Sequence, residues 1–132
     1  MRCSIMILLG AVVASCTTTP PEPRTAEAEA HLSKLLAGKV AGPALGCIPF
    51  YNGNDMIIVD DSTVLFKKGS TLYRNDFNGG SCDNIGSGFY TLVTERHGSG
   101  MCNGDIARVM DVKSGTQIGS CVWGDFTPYK KV

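Results

Sequence analysis

The sequence predicts a mainly β domain, a small antiparallel meander or partly closed barrel, with one N-terminal helix. Three observations carry this. Apolar and β-branched residues gather into short runs beyond position 55. Turn residues separate those runs: the chain holds 16 glycines, clustered in its second half, and Asn-Gly pairs at 52–53, 78–79 and 103–104, a pattern of tight turns between short strands. Helical periodicity occurs in one place, over residues 25–37.

The N terminus reads as an address. Arg2 precedes an apolar run over 5–13, and small residues Ala14 and Ser15 follow. A basic start, an apolar centre and a small-residue end make 1–15 a signal peptide. The run is about half the roughly 20 residues a spanning helix needs. Val13-Ala14-Ser15-Cys16 resembles the lipobox of bacterial lipoproteins. The resemblance implies that Cys16 is acylated and becomes the first residue of the mature chain. The plain alternative is an ordinary secretory signal with Cys16 a bystander. One acyl chain holds a membrane only marginally; lipoproteins of this kind carry diacylglycerol on the thiol and a further acyl group on the new amino terminus. Thr17, not Asp, follows the cysteine, which by analogy implies the periplasmic face of the outer membrane.

Residues 16–24, CTTTPPEPR, form a Pro/Thr-rich tether without core residues. Residues 25–38 read as the helix and its stop. Thr25 caps the start, Glu27 and Glu29 complement the positive end of the dipole, Lys34 the negative end, and Gly38 ends it. Ala28, Leu32, Leu35 and Leu36 make a narrow apolar stripe, suited to docking on the domain; a partner-binding helix is the sharper alternative. Residues 39–46 read as a Gly/Pro/Ala connector, and the β domain spans 47–132.

Within it, 56–59 reads as a buried strand, 60–63 as a turn, and 64–67 as the hairpin partner. A second turn at 68–70 leads to an alternating strand at 71–74. Residues 75–88 form a long Gly/Asn loop, 89–94 a strand, and 96–104 a second loop. Strands at 105–112 and 117–123 close the count at six, joined by a Ser114-Gly115 turn.

Setting aside Cys3 and Cys16, four cysteines remain: Cys47, Cys82, Cys102 and Cys121. An even number in a small exported domain reads as a disulfide framework, and the periplasm sustains it. The spacing lacks the CxxC pairs of a zinc site. The expected pairing is Cys47–Cys121 with Cys82–Cys102, the first tying the two ends of the domain; the runner-up is Cys47–Cys102 with Cys82–Cys121.

The chain carries 12 Lys+Arg against 12 Asp+Glu and no basic block. That excludes the electrostatic footprint of a nucleic-acid binder and leaves membrane attachment to the lipid. No cofactor or metal is implied. His97 is the histidine of the β domain; an enzyme would need it beside a carboxylate in a pocket. No serine lies in a nucleophile elbow. Adjacent Asp60 and Asp61 suit a turn rather than a catalytic pair. The acidic stretch 76–83 lacks the distal Glu of a calcium loop. Trp123, Phe126 and Tyr129 are candidate binding aromatics, or a cap on the open end of the sheet. Arg74, Arg108, Asp105 and Asp125 are candidate ion-pair partners.

Residues Cys47-Ile48-Pro49, the run 59–66, Leu72-Tyr73-Arg74-Asn75, Cys82, Met101-Cys102, the run 104–109 and the run 119–126 together resemble a family of small proteobacterial exported proteins, often lipoproteins, of unknown function. The likeness spans 47–129 and includes all four cysteines; the stretch around Cys82 departs from it, where the family often has Cys-Pro. It implies no activity. The expectation is therefore a lipid-anchored, non-catalytic binding or envelope-structural module whose partner is an envelope protein or polymer. The alternative is an inhibitor of a hydrolase such as lysozyme, since Ser87-Gly88-Phe89-Tyr90 resembles a loop style of such inhibitors.

Overall fold

A computed structural model describes residues 24–49, 55–79, 82–95, 98 and 100–132. Its described residues hold one α-helix and ten strands in three open antiparallel sheets. The mainly β class with a helix near the N terminus is thus as the sequence predicts, and the sheets remain unclosed. Cys16, His97 and the Asn52-Gly53 turn lie outside the described residues.

Helix α1 spans Ala26–Leu36. The Thr25 side chain accepts a hydrogen bond from the Ala28 N–H at 3.2 Å, which satisfies one of the helix's orphan donors. Gly38 adopts φ +72°, a left-handed conformation that glycine takes without steric cost.

The strands are β1 (Lys39–Ala41), β2 (Cys47–Pro49), β3 (Met56–Ile58), β4 (Thr63–Lys68) and β5 (Thr71–Asp76), then β6 (Tyr90–Thr94), β7 (Gly100–Cys102), β8 (Ile106–Asp111), β9 (Gln117–Val122) and β10 (Phe126–Lys131). The six strands expected from the sequence are all present. Four others were not expected. β1 lies in the presumed connector, β7 in the presumed second loop, and β2 and β10 at the two ends of the domain. All four are short or interrupted by Pro or Gly, so they lack a readable alternation.

The main sheet has the order β1-β10-β5-β4-β3. β4 and β5 are joined through Gly69 and Ser70, with Lys68 opposite Thr71. Gly69 has φ +59° at the first of the two loop positions, where a type II′ turn takes glycine. The second sheet has the order β6-β8-β9, and β2 pairs with β7.

Each face of the main sheet has its own core. On the inner face, Val64, Phe66 and Phe126 pack against Ala107, Val109 and Cys121 of the second sheet, with Ile48 and Met101 of the β2–β7 pair at the side. The outer face buries Leu65 and Leu72 against Leu32 of α1. β4 is therefore covered on both faces, and Thr63, Val64, Leu65 and Phe66 are all buried. β3, expected as the buried strand, is instead a half-buried edge. The helix docks on the domain through its stripe, which agrees with the simpler expectation for it. Among the described residues no helix is long and apolar enough to cross a membrane.

The disulfides are Cys47–Cys102 and Cys82–Cys121, which corrects the expected Cys47–Cys121 and Cys82–Cys102. The reason lies in β7. Once residues 100–102 form a strand, Cys47 and Cys102 stand directly opposite in the β2–β7 register, with Cα atoms 4.0 Å apart. Cys121 points inward from β9 opposite Ala107, where the loop carrying Cys82 is tucked beneath it. The last strand, β10, is tied by backbone pairing to β1 from the connector, and no disulfide joins the two ends of the domain. Loops of 55 and 39 residues give about 4 kcal/mol each in the chain-entropy view.

Candidate functional site

The aromatic candidates do not form a surface patch. Trp123 is 1% exposed and Phe126 0%. Trp123 stacks on Phe77 at 5.0 Å between ring centroids and meets Phe66 edge-on at 5.3 Å. Its indole N–H donates to the Thr94 hydroxyl at 3.1 Å. Tyr129 is half-buried beside Leu32, Leu65 and Leu72. An indole this large gains most by complete burial with its N–H satisfied, so Trp123 is the centre of the core rather than a binding residue.

The remaining candidates serve the scaffold. Asp60 accepts from the Ser62 and Thr63 N–H groups at 2.8 and 2.9 Å. Asp61 accepts from the Asn84 and Gly86 N–H groups at 3.1 and 3.0 Å. The two carboxylates thus hold different turns, as the turn reading expects. Arg74 pairs with Asp76 and Arg108 with Glu95. Asp105 instead accepts from the Cys102 N–H at 2.8 Å, and Asp125 from the Asn103 amide at 2.6 Å.

Arg24, expected in the tether, is instead fixed to the outer face. Its Nε lies 2.7 Å from Asp60 Oδ2, and its terminal nitrogens reach Glu29, Ser62, Thr63 and Asp76. Burial raises the Asp60 carboxyl, but the Arg24 guanidinium and the Ser62 N–H and hydroxyl outweigh it, so its pKa is lowered. Arg24 therefore pins the start of α1 near Thr63, the first residue of β4.

The other end of α1 leaves space. A cleft of about 350 Å³ opens between the last turn of the helix and the β4–β5 hairpin. Leu35, Ile57 and Leu72 make its apolar walls, and Lys39, Lys67 and Lys131 line it as well, with Gly69 and Ser70 at the hairpin turn. Strand geometry explains the convergence. Leu65 faces the helix, so Lys67, two residues on, shares that face. Lys39 stands directly opposite Lys131 in the β1–β10 register, and Lys131 follows Tyr129 on the same face. Like charges directly opposite on a sheet are destabilising. Among the described residues, no ion pair engages any of the three lysines, and no Asp or Glu lines the cleft.

Little of this site is legible in the sequence. Lys67 carries a faint signal, being polar directly after the apolar run Val64-Leu65-Phe66. Lys39 and Lys131 carry none, because their pairing depends on two strands that have no clear pattern. No metal-binding group of three or more His, Cys, Asp or Glu occurs among the described residues. No family model, curated protein or solved structure matches the chain.

Proposed function

We propose that this chain is an exported, lipid-tethered and non-catalytic binding module of the bacterial envelope, facing the periplasm from the outer membrane. One observation supports the binding reading above all: an apolar cleft lined by three lysines that form no ion pair among the described residues, on a scaffold braced by two disulfides. Small-molecule sites are concave, largely apolar and supplied with a few convergent polar groups. The export half of the proposal rests on the signal-like residues 1–15 and on Cys16. Replacing Cys16 with Ser is expected to abolish palmitate labelling and release the protein from membranes. Unchanged labelling of the Cys16→Ser chain would contradict the tether.

A second reading, inhibition of a hydrolase such as lysozyme, has its own support in one loop. Phe89 is 72% exposed and follows Gly88 at φ +83°. The Ser87 hydroxyl donates to the Asn84 carbonyl at 2.8 Å, which shapes the loop that presents the ring. An exposed aromatic on a preformed loop suits insertion into a partner's groove.

A further inference from the structure

We infer that the cleft beneath the end of α1 binds a single-chain anionic amphiphile, headgroup to the lysines and alkyl chain along the apolar walls. This rests on the binding-module reading and deepens it. Charge complementarity selects the headgroup. Lys39, Lys67 and Lys131 bring three ammonium groups to one cleft that no Asp or Glu lines among the described residues. The C-terminal end of α1 offers the equivalent of about half a negative charge, too little to balance them. An anion there relieves the opposition of Lys39 and Lys131 across the β1–β10 pair and gains charge-assisted hydrogen bonds.

The walls select the rest of the ligand. Leu72 is 6% exposed at the floor, and Leu35 and Ile57 stand half-buried on either side. A free inorganic anion would leave these side chains unused. The volume, about 350 Å³, lies at the small end of the roughly 300–1,000 Å³ usual for ligand pockets. It suits one alkyl chain rather than a two-chain lipid. Lysine stems also lie along apolar surface while their charged heads stay in water, so the same three residues extend the apolar wall and hold the headgroup.

Dodecyl phosphate, kept below its micelle concentration, is the probe, and the protein is the full chain carrying Cys16→Ser. Saturable binding is expected, with dodecyl maltoside and inorganic phosphate each bound far more weakly. Lys67→Gln and Lys131→Gln are each expected to weaken dodecyl phosphate about tenfold, the loss of one charge-assisted hydrogen bond. Lys113→Gln, in the turn between β8 and β9, is expected to change nothing. Equal binding of dodecyl maltoside, or indifference to both lysine variants, would overturn the inference. So would attachment to phosphatidylglycerol vesicles without any response to monomeric probe. Binding accompanied by release of inorganic phosphate would keep the ligand class and overturn the non-catalytic reading instead.

Discussion

Asn75 is fully buried on β5, where its neighbours in the alternation, Tyr73 and Phe77, are aromatic. Its amide donates to the Gly124 carbonyl at 2.8 Å, and its carbonyl accepts from the Gly124 N–H at 3.0 Å. The side chain thus completes the backbone where the chain leaves β9 to enter β10. Glycine is required opposite it, because a Cβ at Gly124 would overlap the Asp76 carbonyl oxygen. Asn75→Ala is expected to cost about 2–4 kcal/mol in urea unfolding, since two buried backbone groups lose their partners. A loss within the error of the measurement would mean that water replaces the amide. In the sequence Leu72-Tyr73-Arg74-Asn75 carries part of a family resemblance and no reason for the asparagine. The reason lies 49 residues away, beyond any local pattern. Trp123 is illegible for the same cause: in sequence it closes a strand before Gly124-Asp125, while in space it meets Phe66 and Phe77.

At the level of elements, helix α1 was readable almost in full, because capping, dipole and stripe are local signals. Its attachment was not. Arg24 looked like the end of a proline-rich tether, yet it joins α1 to the 60–63 turn through Asp60. This contact predicts a pH dependence. Asp60 has a lowered pKa in the folded chain, so it contributes stability above its unfolded value of about 3.9. That contribution fades as pH falls through the folded value. Unfolding midpoints measured from pH 7 down to pH 3 are expected to fall less steeply for Asp60→Asn than for the parent chain. Identical slopes would show that the contact does not hold the helix. The strands divide in the same way. Runs with clear alternation or a continuous apolar core were legible; β1, β2, β7 and β10 were set by their partners. The disulfide pairing followed from β7, so missing one three-residue strand misassigned both bonds.

For the whole molecule, one sheet separates two environments. The inner face carries the aromatic core and both sulfur bridges' neighbours, and gives the domain its rigidity. The outer face carries one helix, fixed by Arg24 at its start and left open over three lysines at its end. The chain balances 12 Lys+Arg with 12 Asp+Glu, and folding gathers three of its lysines at this cleft. The mainly β class was legible from composition and turns, whereas the binding surface depended on sheet order. Amide chemical-shift mapping of the full Cys16→Ser chain with dodecyl phosphate tests the central claim most directly. The expected shifts gather at Leu35, Lys39, Lys67, Ser70 and Lys131. Shifts confined to the second sheet, around Val93, Ile106 and Val122, or no saturable shifts at all, would contradict it.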